Sequence, residues 1–95
     1  MKKVPEGPST RLESFDEVRE ATLFRCELRG VPRRRLRSYV AFARRVDWLC
    51  RRYSSNTLLL EVAAVMRQFA ARGLNPRVLA DIRFHVFTLG RARAY

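Results

Sequence analysis

Seven arginines, Arg33, Arg34, Arg37, Arg44, Arg45, Arg51 and Arg52, recur at intervals that gather them on one side of a helix. Guanidinium groups collected in this way suit one kind of chemistry. Each is a planar fork of N–H donors that can grip a phosphate oxygen pair or the O6/N7 edge of guanine with two hydrogen bonds. Asp47 is the single acid in the stretch 29–53, which holds nine arginines and a net charge of +8. Like charges one helical turn apart repel by about 0.2–0.5 kcal/mol per pair, so the face is read as a binding surface for a polyanion rather than as a merely solvated one. Trp48 falls among these arginines. It either packs beneath their stems, the favoured reading, or stacks on a base or sugar.

Other residues with chemical potential find no companions. Cys26 and Cys50 lack the spacing of a metal knuckle, and His85 is the single imidazole of the chain. Both cysteines are read as reduced core thiols and His85 as a boundary residue of a helix. Ser54-Ser55 is a loop and not a nucleophile elbow, because G-x-S-x-G is absent. No P-loop, no G-x-G-x-x-G and no paired carboxylates occur, and Tyr95 has no positioned His or Arg beside it, so no enzyme, metal or cofactor is expected.

The elements that must hold the arginines follow from the hydrophobic pattern. The chain has 95 residues, 47% of them hydrophobic, with 20 Lys+Arg against 9 Asp+Glu and a net charge of +11. That is too apolar for a basic disordered tail and too short for two full domains, so one folded unit is expected. No apolar run is long enough to span a membrane, and the N-terminal MKKVPEGPST has no signal-peptide core, which predicts an intracellular protein. Residues 1–13 are assigned to a flexible N-terminal arm, 14–90 to the domain, and 91–95 to a tail or the start of a linker.

Four helices are expected. The first, about 15–29, opens on a Ser14/Glu17 capping box and closes at Gly30. The second, about 32–53, starts with Pro32 in its first turn and buries Leu36, Tyr39, Phe42, Ala43, Val46, Leu49, Cys50 and Tyr53 on the side opposite the arginines. A third, capped by Asn56 or Thr57, buries Leu58, Val62, Val65, Met66 and Phe69 and ends at Gly73. The fourth, about 76–89, starts on an Asn75 N-cap with Pro76 at its first position, buries Val78, Leu79, Ile82, Val86 and Leu89, and stops at Gly90. Phe84 and Phe87 lie off that stripe and are read as covered from a second side, with a protein partner as the alternative. No strand-like alternation occurs. Arg29-Gly30-Val31-Pro32-Arg33-Arg34-Arg35-Leu36 and Arg72-Gly73-Leu74-Asn75-Pro76-Arg77-Val78-Leu79 share one scheme at an offset of 43, suggesting two similar helical hairpins.

In that order, Leu28-Arg29-Gly30-Val31, Leu36-Arg37-Ser38-Tyr39, Val46-Asp47-Trp48-Leu49, Ala71-Arg72-Gly73-Leu74-Asn75-Pro76-Arg77-Val78-Leu79 and Ile82-Arg83 resemble the N-terminal core-binding domain of tyrosine recombinases and phage-type integrases. The resemblance covers about residues 15–89. It implies an all-α, SAM-like bundle of four or five short helices in two crossed hairpins, whose second and fourth helices face duplex DNA. Carried onto this chain it adds Arg35, Asn75, Arg77 and Arg83 to Arg33, Arg34, Arg37, Arg44, Arg45, Trp48, Arg51 and Arg52 as nucleic-acid-binding residues. Val78 departs from the family's usual Thr, and the family's catalytic domain has no counterpart in these 95 residues. The expected function is therefore non-enzymatic binding of double-stranded DNA in a cytoplasmic, nucleoid-associated protein. Its alternatives are a structural RNA-binding component of a ribonucleoprotein particle such as the ribosome, and a module docking a catalytic or other partner protein through Phe84 and Phe87.

Overall fold

The computed structural model describes the backbone of residues 7–94 and the side chains of residues 15–89. Four helices follow one another: α1 (Gly7–Leu28), α2 (Arg33–Arg52), α3 (Ser55–Ala71) and α4 (Pro76–Ala94). The chain is all-α, and no strand occurs among the described residues.

The two Arg-Gly joints adopt the same geometry. Past α1, the Gly30 N–H donates to the Glu27 carbonyl at 3.1 Å and the Val31 N–H to the Cys26 carbonyl at 2.9 Å. Past α3, Gly73 donates to Ala70 at 2.9 Å and Leu74 to Phe69 at 3.3 Å. Both pairs are the two bonds of a Schellman cap, which requires a left-handed residue that glycine supplies without steric cost; Gly30 has φ +73° and Gly73 φ +96°. The repeated phrase in the sequence is thus a repeated turn in space.

Helix starts follow the sequence less uniformly. At α4 the Asn75 carboxamide accepts the Arg77 N–H at 2.8 Å, the N-cap bond expected there. Pro32, by contrast, is the N-cap of α2 rather than its first helical residue, with φ −61° and ψ 148°, and it offers no side-chain oxygen to the helix. Helix α3 is preceded by Ser54, which makes no side-chain cap bond, and Ser55 takes φ +54°. Asn56 and Thr57 therefore lie inside α3 and do not cap it.

Two expected boundaries move outward. Helix α1 already begins at Gly7, so Ser14 is interior and the arm assigned to residues 1–13 is helical from residue 7. Pro8 is tolerated because it falls in the first turn, where no intrahelical N–H bond is made. The side-chain bonds of a Ser14/Glu17 box, the arm's residues 1–6 and Tyr95 lie outside the described residues. Helix α4 runs through Gly90 to Ala94. A helical glycine costs about 1 kcal/mol relative to alanine, and the Arg-Ala-Arg-Ala that follows consists of good helix formers.

Helix α2 is the centre of the bundle. It packs against α1, α3 and α4; α1 also packs on α4, while α3 leans on α2 more than on α4. Each helix contributes a stripe at helical spacing: Val18, Thr22 and Cys26 from α1; Tyr39, Phe42, Ala43, Val46 and Leu49 from α2; Val62, Val65 and Phe69 from α3; Val78, Leu79, Ile82 and Val86 from α4. Leu36, Cys50, Tyr53, Leu58, Met66, Phe87 and Leu89 pack around them, partly buried. The rings of Phe42 and Phe69 meet edge to face with centroids 5.4 Å apart, joining α2 to α3. Phe84 departs from the expected core: it is 67% exposed, on a side of α4 that no other helix covers among the described residues. Cys26 is a buried thiol, and burial pushes its pKa up to about 11.

Candidate nucleic-acid interface

Helix α2 is positioned by its apolar stripe, and the opposite side is left to solvent. Its 20 residues extend for about 30 Å. Arg33, Arg34, Arg37, Arg44, Arg45, Arg51 and Arg52 are all exposed along it, and Trp48 sits among them 48% exposed.

Several of these side chains are held in place. The Arg45 and Arg52 guanidinium groups lie 5.9 and 5.2 Å from the centre of the Trp48 ring, and Arg44 lies 4.2 Å over the ring of Phe15 from α1. Such cation–π contacts organise the arginines without neutralising them. A hollow of about 290 Å³ opens on the same face, lined by Ala41, Arg44, Arg45 and Trp48, where the small side chain of Ala41 leaves room between larger neighbours. Arg51 differs from the rest: its Nε donates at 3.1 Å to Asp47, an acid only 4% exposed. Its charge is therefore partly spent within the helix.

The candidates contributed by the joints divide. Arg35 points away from the arginine face, and its Nη2 donates to the Gly73 carbonyl at 3.4 Å, spanning from α2 to the α3–α4 turn. Asn75 uses its carboxamide oxygen as the α4 cap, and its own N–H donates to the Tyr39 hydroxyl at 2.8 Å. Arg77 is exposed in the first turn of α4. Arg83 is turned toward α3, with Nη1 3.6 Å from the Met66 sulfur, and belongs to neither group.

Where the two Schellman turns meet, they enclose a cleft of about 280 Å³. Its walls carry Arg29, Arg34, Arg35, Tyr39, Gly73 and Asn75. Arg29 and Tyr39 were not expected at a site. Arg29 forms a 2.7 Å ion pair with Asp81 of α4, which tethers the end of α1 to α4. The signal in the sequence was the repeated Arg-Gly phrase, which marks both turns but cannot say that they face one another.

This assembly of guanidinium groups can bind oxyanions. Among the described residues no three His, Cys, Asp or Glu side chains converge as metal ligands, and no helix is long and apolar enough to cross a membrane. No family model, curated protein or solved structure matches the chain.

Proposed function

We propose that the chain binds double-stranded nucleic acid, duplex DNA in the first place, through the exposed face of α2. The observation that carries this reading is the run of solvent-facing arginines along one helix, Arg33 to Arg52, with Trp48 among them. An α-helix fits the major groove of B-form DNA, and arginine serves both the phosphates that flank the groove and the guanine edges within it. The resemblance of the sequence motifs to recombinase core-binding domains would direct the same helix at DNA, and a nucleoid location would follow from the binding. Supporting it further is the total charge of +11, which favours fast, salt-sensitive association with a polyanion.

The test is a salt titration of binding to a labelled duplex, with a structured RNA as competitor. Affinity should fall steeply with salt, and Arg37→Gln or Arg44→Gln should each lower the slope of log K against log salt by about one unit. The A-form groove of RNA is too deep and narrow to admit the helix, so RNA should compete poorly. Absence of duplex binding at low salt would reject the proposal, and stronger binding of the RNA would transfer it to a ribonucleoprotein role.

A further inference from the structure

We propose that the cleft between the two Arg-Gly turns is a discrete site for one phosphate group. It differs from the arginine face in construction, because it is built by two joints 43 residues apart, and it shares Arg34 with that face.

Three arginines line it, Arg29, Arg34 and Arg35. Asp81 compensates the first at 2.7 Å. Among the described residues the Arg35 side chain reaches a neutral carbonyl, at the long distance of 3.4 Å, and the Arg34 side chain makes no hydrogen bond or ion pair. Two positive charges therefore border the cleft without a counter-ion. An acceptor carrying negative charge is what such a pair lacks.

Tyr39 supplies an independent observation. Its side chain is only 4% exposed, yet it lines the cleft. The hydroxyl oxygen accepts the Asn75 N–H at 2.8 Å, while its own O–H has no acceptor among the described residues. A buried hydroxyl normally satisfies its donor as well as its acceptor capacity. The cleft that Tyr39 lines is basic, and a phosphate oxygen bound there would accept that proton. The backbone adds to this: Pro32 gives α2 no side-chain cap, and the Arg35 N–H is already bonded to the Pro32 carbonyl at 2.9 Å, leaving that of Arg34, a lining residue, for a ligand. A volume of about 280 Å³ accommodates one tetrahedral oxyanion together with several waters.

The shared chemistry is a phosphate group, and its source under the proposed function is a backbone phosphodiester, held at the N-terminal end of the arginine run. Only that choice of source rests on the proposed function. The test follows backbone amide and arginine Nε resonances of the full chain by NMR during titration with inorganic phosphate, against chloride at matched ionic strength, and separately with a duplex. Saturable shifts at Arg34, Arg35, Gly73 and Asn75 with phosphate but not chloride are expected, and the duplex should move the same resonances. Arg34→Gln, an exposed change that leaves the fold intact, should weaken phosphate binding about tenfold, as loss of a charge-assisted bond implies. Tyr39→Phe should weaken it too, with folding checked by the dispersion of the spectrum.

Phosphate shifts without duplex shifts would support the site, assign it to a free phosphate compound and count against the proposed function. Duplex shifts confined to residues 37–52, with no phosphate response in the cleft, would overturn the site and leave the proposed function standing. No response in the cleft to either ligand would likewise overturn it.

Discussion

The Asn75 N–H donates to the Tyr39 hydroxyl at 2.8 Å, bridging 36 positions of sequence. The bond ties the start of α4 to the second turn of α2 and so fixes how the two Arg-Gly turns approach. Asn75 also caps α4 through its side chain, so one residue both starts the helix and anchors it. Tyr39→Phe keeps the ring in the core but removes the acceptor, and a loss of about 1 kcal/mol in unfolding free energy is expected. Asn75→Ala should cost about as much through the lost cap. Because both act on one turn, the double variant should depart from the sum of the two, which urea unfolding of the four proteins would show.

Phe42 is wholly buried where α2 meets α3, against the edge of Phe69. Phe42→Ala should destabilise the fold by about 3–5 kcal/mol, since it opens a cavity that rigid helices fill poorly. Phe42→Leu should cost less. The measurement is the shift in urea midpoint at unchanged m-value.

Arg25 and His85 face each other across the seam of α1 and α4, and Arg25 Nε and His85 Nε2 are buried with no hydrogen-bond partner among the described residues. Burial first, and then the positive charge of Arg25, hold the His85 pKa below its ordinary value of 6.5, with Asp81 opposing them. The unfolded chain thus takes up the proton first as pH falls. Stability is greatest above pH 6.5 and declines as pH drops from there toward the folded-state pKa. His85 is the single histidine, so unfolding free energy measured above the carboxylate range should lose this slope in His85→Gln. A slope unchanged by the substitution would contradict the assignment.

Ser55 adopts φ +54° at the start of α3, a conformation in which a Cβ is strained. Ser55→Gly should therefore stabilise the protein by about 0.5–1 kcal/mol, against the usual penalty for glycine in a helix. Ser55→Ala retains the Cβ and should give no such gain. Thermal unfolding of the two variants decides between them.

Much of the bundle can be read from local periodicity. The apolar stripes of α2, α3 and α4 recur at three- and four-residue intervals, and Phe42, Val65 and Ile82 are buried where the pattern expects them. Gly30, Gly73 and Asn75-Pro76 announce their turns because left-handed φ, the N-cap and the first helical position each favour particular residues. Phe84 escaped this reading, since nothing in its neighbourhood tells how many sides of α4 are covered. Ser14 and Gly90 misled for a related reason: a residue suited to a helix end is still accommodated inside when its neighbours sustain the helix.

The sequence by itself determined that there are four helices, that α2 is amphipathic, and that its outer face carries the arginines, because these depend on spacing within a single element. Only the tertiary structure decided that the two Arg-Gly turns face one another, that Arg35 leaves its run to reach Gly73, and that the Tyr39 hydroxyl meets Asn75. Those contacts join residues 36 to 38 positions apart. They are set by how α2 docks among its three neighbours, a matter of collective packing that no local pattern of residues encodes.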